Sequence, residues 1–75
     1  MVLDKLKEII SEQFGIDQDA VSEDTDIVAD LGADSLDIVE MLMALEEEYG
    51  VTIEDSKMAE LKTVGDVVAC VEGMI

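Results

Sequence analysis

Sixteen acidic residues and no basic one lie between Glu8 and Asp55. Carboxylates without a cationic partner need water, so this run marks surface along much of the chain. The apolar residues between the acids are left to build the interior. In all, 20 Asp and Glu face four Lys, with no Arg or His, for a net charge of −16. Apolar residues still make up 49% of the 75, which is too many for a disordered acidic tail. Such a chain repels nucleic acid and anionic membrane. The partners it favours are basic protein surfaces, found through long-range steering.

The length predicts a single domain over residues 1–75 with a modest core. There is no proline, Phe14 and Tyr49 are the only aromatics, and helix formers are plentiful. The expected fold is all-α: a small four-helix bundle with a long ordered loop between helices one and two and a short third helix. Leu3, Leu6, Ile10 and Phe14 recur at helical spacing over residues 3–14, with Ile9 beside them, and Gly15 suits the C-terminal cap. Residues 16–34 lose the period, and Ile16, Val21, Ile27, Val28 and Leu31 are expected to pin them as an ordered loop.

Residues 36–49 form the second helix, with Asp34 or Ser35 as its cap, Asp34 and Asp37 at capping-box spacing, and Gly50 at its end. Ile38, Leu42, Leu45 and Tyr49 make a core stripe flanked by Met41. A second stripe, Leu36, Val39 and Met43, lies among Asp37, Glu40, Ala44 and Glu47. Either a wide core takes both stripes, or the second is an exposed docking strip ringed by carboxylates. After an extended connection over 51–55, Asp55 or Ser56 could cap a short helix from Lys57 to Leu61. Thr63 and Asp66 have capping-box spacing before a last helix that buries Val64, Val67, Val68 and Val71, with Cys70 at the edge of that stripe.

The residue types exclude much chemistry. Without histidine there is no Ser-His-Asp or Cys-His catalysis, and one cysteine cannot build a structural zinc site or an internal disulfide. An EF-hand loop started at Asp24 meets Val28 and Ala29 where acid and glycine are needed. Started at Asp30, it meets Ser35 and Met41 at the positions of glycine and glutamate. No specific metal site is expected, only weak and diffuse divalent binding at carboxylates. The N-terminus lacks a signal-peptide core, and no apolar run approaches spanning length, so a cytoplasmic protein without membrane insertion is expected.

Ser35 is then the notable side chain. A helix N-terminus offers free N–H groups and partial positive charge, which suits a phosphate ester on a serine placed there. An ordinary helix cap is the competing role. With nothing nearby to activate the hydroxyl, a passive acceptor explains it better than a catalyst does.

The stretch Gly32-Ala33-Asp34-Ser35-Leu36-Asp37, with Val39-Glu40 and Met43-Ala44-Leu45-Glu46-Glu47-Glu48-Tyr49, resembles the phosphopantetheine attachment region of acyl carrier proteins. The likeness runs the whole length and is nearest to the carriers of dissociated fatty acid synthases. It implies a non-enzymatic carrier of growing fatty acyl chains, held as thioesters on a 4′-phosphopantetheine arm at Ser35, with Asp34 and Leu36 framing the attachment point. A phosphopantetheinyl transferase would load the arm, and fatty acid synthesis enzymes would dock through basic patches. By the same resemblance, Asp37, Val39, Glu40, Met43, Glu46, Glu47 and Ile53 match partner contacts, and the carrier is expected to be a monomer. Glu54 departs from the pattern, standing where many relatives have proline. The acyl chain is expected to tuck between helices, with Met41, Met58 and Met74 giving an adaptable interior. Two alternatives stand beside this: a carrier for polyketide or specialised lipid synthesis, and a non-enzymatic acidic interaction module.

Overall fold

The computed structural model describes residues 1–75, the side chain of Asp55 excepted. Four helices carry the fold: α1 (Val2–Phe14), α2 (Ser35–Tyr49), α3 (Asp55–Met58) and α4 (Val64–Glu72). A 3₁₀ turn, Gln18–Ala20, interrupts the long connection between α1 and α2. The all-α expectation holds.

The core forms where the helical stripes meet. Leu6 and Ile10 of α1, Met41 and Leu45 of α2, and Val64, Val67 and Val71 of α4 are fully enclosed. Val2 joins the α1 stripe, while Leu3, Ile9 and Phe14 are only half-buried. In α2 the inward residues are Met41, Leu42 and Leu45, with Ile38 and Tyr49 at the margin. Met41, expected to flank the stripe, is as fully enclosed as Leu45 and belongs to the core itself. Valine is a weak helix former, so α4 depends on this packing. Met74 is exposed, which leaves Met41 and the half-buried Met58 as the inward-facing pair of the three methionines.

The long loop is ordered because it is laced to the start of α4. Ile27 N–H donates to Lys62 O at 2.9 Å, Val64 N–H to Thr25 O at 3.0 Å, and Gly65 N–H to Glu23 O at 2.9 Å. The loop carbonyls therefore satisfy donors that open a helix without an intrahelical partner. Gly65 is needed for this approach: a β-carbon there would sit 3.1 Å from Glu23 O. Thr63 and Asp66 complete the end as a capping box. The backbone N–H groups of Thr63 and Lys62 hold the Asp66 carboxyl below the ordinary aspartate range.

Val21 and Ile27 anchor the loop inside the core, but Val28 does not: it is 56% exposed. Asp26 causes this, because its carboxylate accepts the N–H groups of Val28 and Ala29 and curls the chain so that Val28 points outward. The third helix also departs from expectation. It begins at Asp55, two residues early, and ends at Met58, with a turn in place of helix as far as Leu61. Ser56 lies inside it and Glu54 is the N-cap, without a side-chain cap bond. A capping role for the Asp55 side chain lies outside the described residues.

Candidate functional site

Gly32 turns the chain with a left-handed φ of 68°, and two residues later Asp34 takes the N-cap of α2. The cap is reciprocal. Asp34 Oδ1 accepts Asp37 N–H at 2.9 Å, and Asp37 Oδ2 accepts Asp34 N–H at 3.2 Å. Ser35 is thereby the first helical residue and not the cap. Its side chain is exposed, and its hydroxyl has no hydrogen-bond partner among the described residues. Nor do the N–H groups of Ser35 and Leu36 find one, unlike those of Val64 and Gly65 at the start of α4. The result is a free hydroxyl at a positively polarised helix mouth. One long-range bond steadies that turn: Gln13 of α1 donates through Nε2 to Asp37 O at 2.8 Å. Nothing in the sequence marked Gln13, since its partner is 24 positions away.

The second stripe of α2 is outside the core. Leu36 is 65% and Met43 56% exposed, and Val39 is half-exposed between them. Glu40 and Glu47 are exposed beside them, and Asp37 and Glu46 are half-buried. Ile53 is different. Expected at a partner contact, it is buried at 7% exposure, and its N–H donates to Glu46 Oε2 at 2.7 Å. Its side chain anchors the α2–α3 connection and is not presented at the surface.

A cleft of about 420 Å³ opens between the end of the long loop, the first turns of α2, and α3. Val28, Ala29, Ile38, Met58, Ala59 and Leu61 give it apolar walls, and Asp26 and Lys62 line it as well. Ile38, the cleft residue contributed by α2, follows Ser35 by about one helical turn. Among the described residues, no three His, Cys, Asp or Glu side chains converge as a metal site. The ion pairs found there both use Lys5, to Glu8 and to Glu48, each at 3.8 Å. The acids of α2 near Ser35 thus carry their charge outward.

Residues 4–71 match the family model described as the phosphopantetheine attachment site. The acyl carrier protein of Thermotoga maritima is 44% identical over 71 residues, covering 95% of this chain and 88% of that one. The chain belongs to the acyl carrier proteins. A solved acyl carrier protein, from Enterococcus faecalis and described for its high thermal stability, superposes on this carrier with a TM-score of 0.82. It is 38% identical, over 96% of this chain and 91% of that one. The group held by the family is 4′-phosphopantetheine, bound covalently. This carrier has a place that fits it: an exposed, unbonded hydroxyl, free N–H groups at the helix mouth, and an apolar cleft one turn away.

Proposed function

We propose that Ser35 Oγ is the attachment point of 4′-phosphopantetheine and that this single carrier domain presents fatty acyl chains to the enzymes that build them. The observation that carries this reading is the freedom of Ser35: Asp34 does the capping, so the hydroxyl beside it is spared for another role. When bound, the arm supplies a terminal thiol on which acyl groups ride as thioesters.

This chain's own part is presentation and shelter. In loading, a bond forms between Ser35 Oγ and phosphorus while the phosphorus–oxygen bond to the nucleotide part of coenzyme A breaks. The chain has no histidine, and among the described residues none hydrogen-bonds the hydroxyl to draw off its proton. The base therefore comes from the transferase, and the chain acts as a carrier and not as a catalyst. The N-terminus of α2 favours the phosphodiester that results, with Asp34 and Leu36 framing it. The apolar cleft beside Ile38 has the lining to shelter an acyl chain.

Leu36, Val39 and Met43, ringed by Asp37, Glu40, Glu46 and Glu47, suit enzymes with basic rims around an apolar patch. Small steered interfaces of this kind form and release quickly. The net charge of −16 opposes self-association and supports a monomer. Cytoplasmic residence is part of this reading; among the described residues no helix is long and apolar enough to cross a membrane. Ile53 serves this surface indirectly, by fixing the connection behind it.

Intact mass after incubation with coenzyme A and a broad-specificity phosphopantetheinyl transferase tests the proposal. The parent chain should gain one phosphopantetheine and Ser35→Ala none. A folded parent that gains nothing, or a mutant that still gains it, would remove Ser35 from this role.

A further inference from the structure

The five methionines lie in very different surroundings. Met41 and Met43 are two positions apart on α2, about 200° round the helix. Met41 is fully enclosed on the inner face, and Met43 is 56% exposed on the outer one. Met58 is half-buried in the cleft wall. Met1 and Met74 are exposed outside α2. One turn either side of Met43 stand Val39, Glu40, Glu46 and Glu47, so its thioether is in the middle of the apolar strip. A leucine would supply similar apolar surface there. Methionine supplies it with an oxidisable sulfur open to solvent. The ionised acids around it only accept hydrogen bonds, so none of them could donate to an oxygen placed on that sulfur.

We propose that Met43 is a site of reversible oxidation that switches the docking strip off without unfolding the carrier. The oxidant is hydrogen peroxide, a neutral molecule that the charge of −16 does not hold off as it would an anion. A lone pair of the Met43 sulfur attacks one peroxide oxygen, and the O–O bond breaks. The sulfur gives up two electrons and keeps that oxygen as a sulfoxide, and the other oxygen leaves as water. The centre of the strip is now a polar hydrogen-bond acceptor. Docking would bury it against an apolar patch whose donors lie at the rim, and an acceptor buried without a partner weakens association. Met41 is shut away from the oxidant, so the core keeps its packing. A methionine sulfoxide reductase returns the thioether; its dithiol reductant becomes a disulfide as the oxygen leaves in water. This inference rests on the docking reading of the α2 strip.

The test exposes the whole unmodified chain to hydrogen peroxide, locates the added oxygen by peptide mass, and measures loading by a phosphopantetheinyl transferase. Met43 should take up oxygen together with Met1 and Met74, and Met41 should not. The KM of the transferase should rise roughly tenfold, the scale of one acceptor buried unpaired, with the melting temperature unchanged. Treatment with the reductase and dithiothreitol should restore it. Met43→Leu keeps the strip apolar and cannot form the sulfoxide, so its KM should stay at the parent value through the same exposure. Met43→Gln, never oxidised, places a lasting polar group there and should show a raised KM from the start. A Met43 that stays unoxidised while Met1 and Met74 react would overturn the site. A Met43→Leu chain that loses as much as the parent would assign the loss to another residue, the half-buried Cys70 included, and overturn it as well. An oxidised Met43 with an unchanged KM would overturn the switch. If Met43→Gln still raised the KM, the docking reading would survive that result; if it did not, switch and strip would fall together.

Discussion

At Asp34 and Ser35 two adjacent polar residues divide the work of one helix start. Asp34 closes the reciprocal cap with Asp37, and Ser35 takes no part in it. Their mutants should therefore separate. Asp34→Ala should cost about 1 kcal/mol of stability, the usual value of an N-cap. Ser35→Ala should stay within about 0.5 kcal/mol of the parent, as surface changes do. Urea unfolding of the two variants checks both, and a Ser35→Ala chain as damaged as Asp34→Ala would make the serine structural. The pair was legible in the sequence only as far as a choice between them. Both residues cap well, and the choice fell to the direction in which each side chain turns.

At the scale of elements, the strip on α2 is what the acids and the exposed Leu36 and Met43 make together. Glu40 and Glu47 are the clean probes of it, because Asp37 also belongs to the cap. Glu40→Lys and Glu47→Lys should each raise the KM of a phosphopantetheinyl transferase several-fold at low salt, with the difference shrinking as salt screens it. Kinetics unchanged from the parent at low ionic strength would show that the strip takes no part in docking. The long helices were legible because α1, α2 and α4 each repeat their apolar residues for two turns or more. The third helix was misplaced because four residues are too few to show a period. Val28 was misjudged, and the burial of Ile53 went unseen, for a related reason. A side chain in a loop takes its direction from local hydrogen bonds, those of Asp26 in one case and Glu46 in the other. The cleft was invisible for the same cause at larger scale, since its walls come from segments far apart in sequence.

For the molecule as a whole, the charge of −16 is the main strain on a small core. The ion pairs found among the described residues involve a single lysine, so most carboxylates repel one another across the surface. Millimolar magnesium or calcium should raise the melting temperature by several degrees, about the shift that 1 kcal/mol gives in a domain of this size. Sodium chloride should do the same at higher concentration. A melting temperature indifferent to both would mean that the acids are already far enough apart.

The lacing of the long loop to α4 also has a consequence for biosynthesis. Thr25 and Val64, 39 positions apart, share a backbone bond, and the loop so held leads directly into Ser35. The turn that presents the serine thus depends on residues made well after it. A nascent chain halted on the ribosome before Val64 has emerged should be a poor substrate for the transferase, and one released after Glu72 a good one. Equal loading of the two would show that α2 sets its own entrance unaided. If the difference holds, the making of α4 is itself the licence for modification, and carriers still without α4 are not armed.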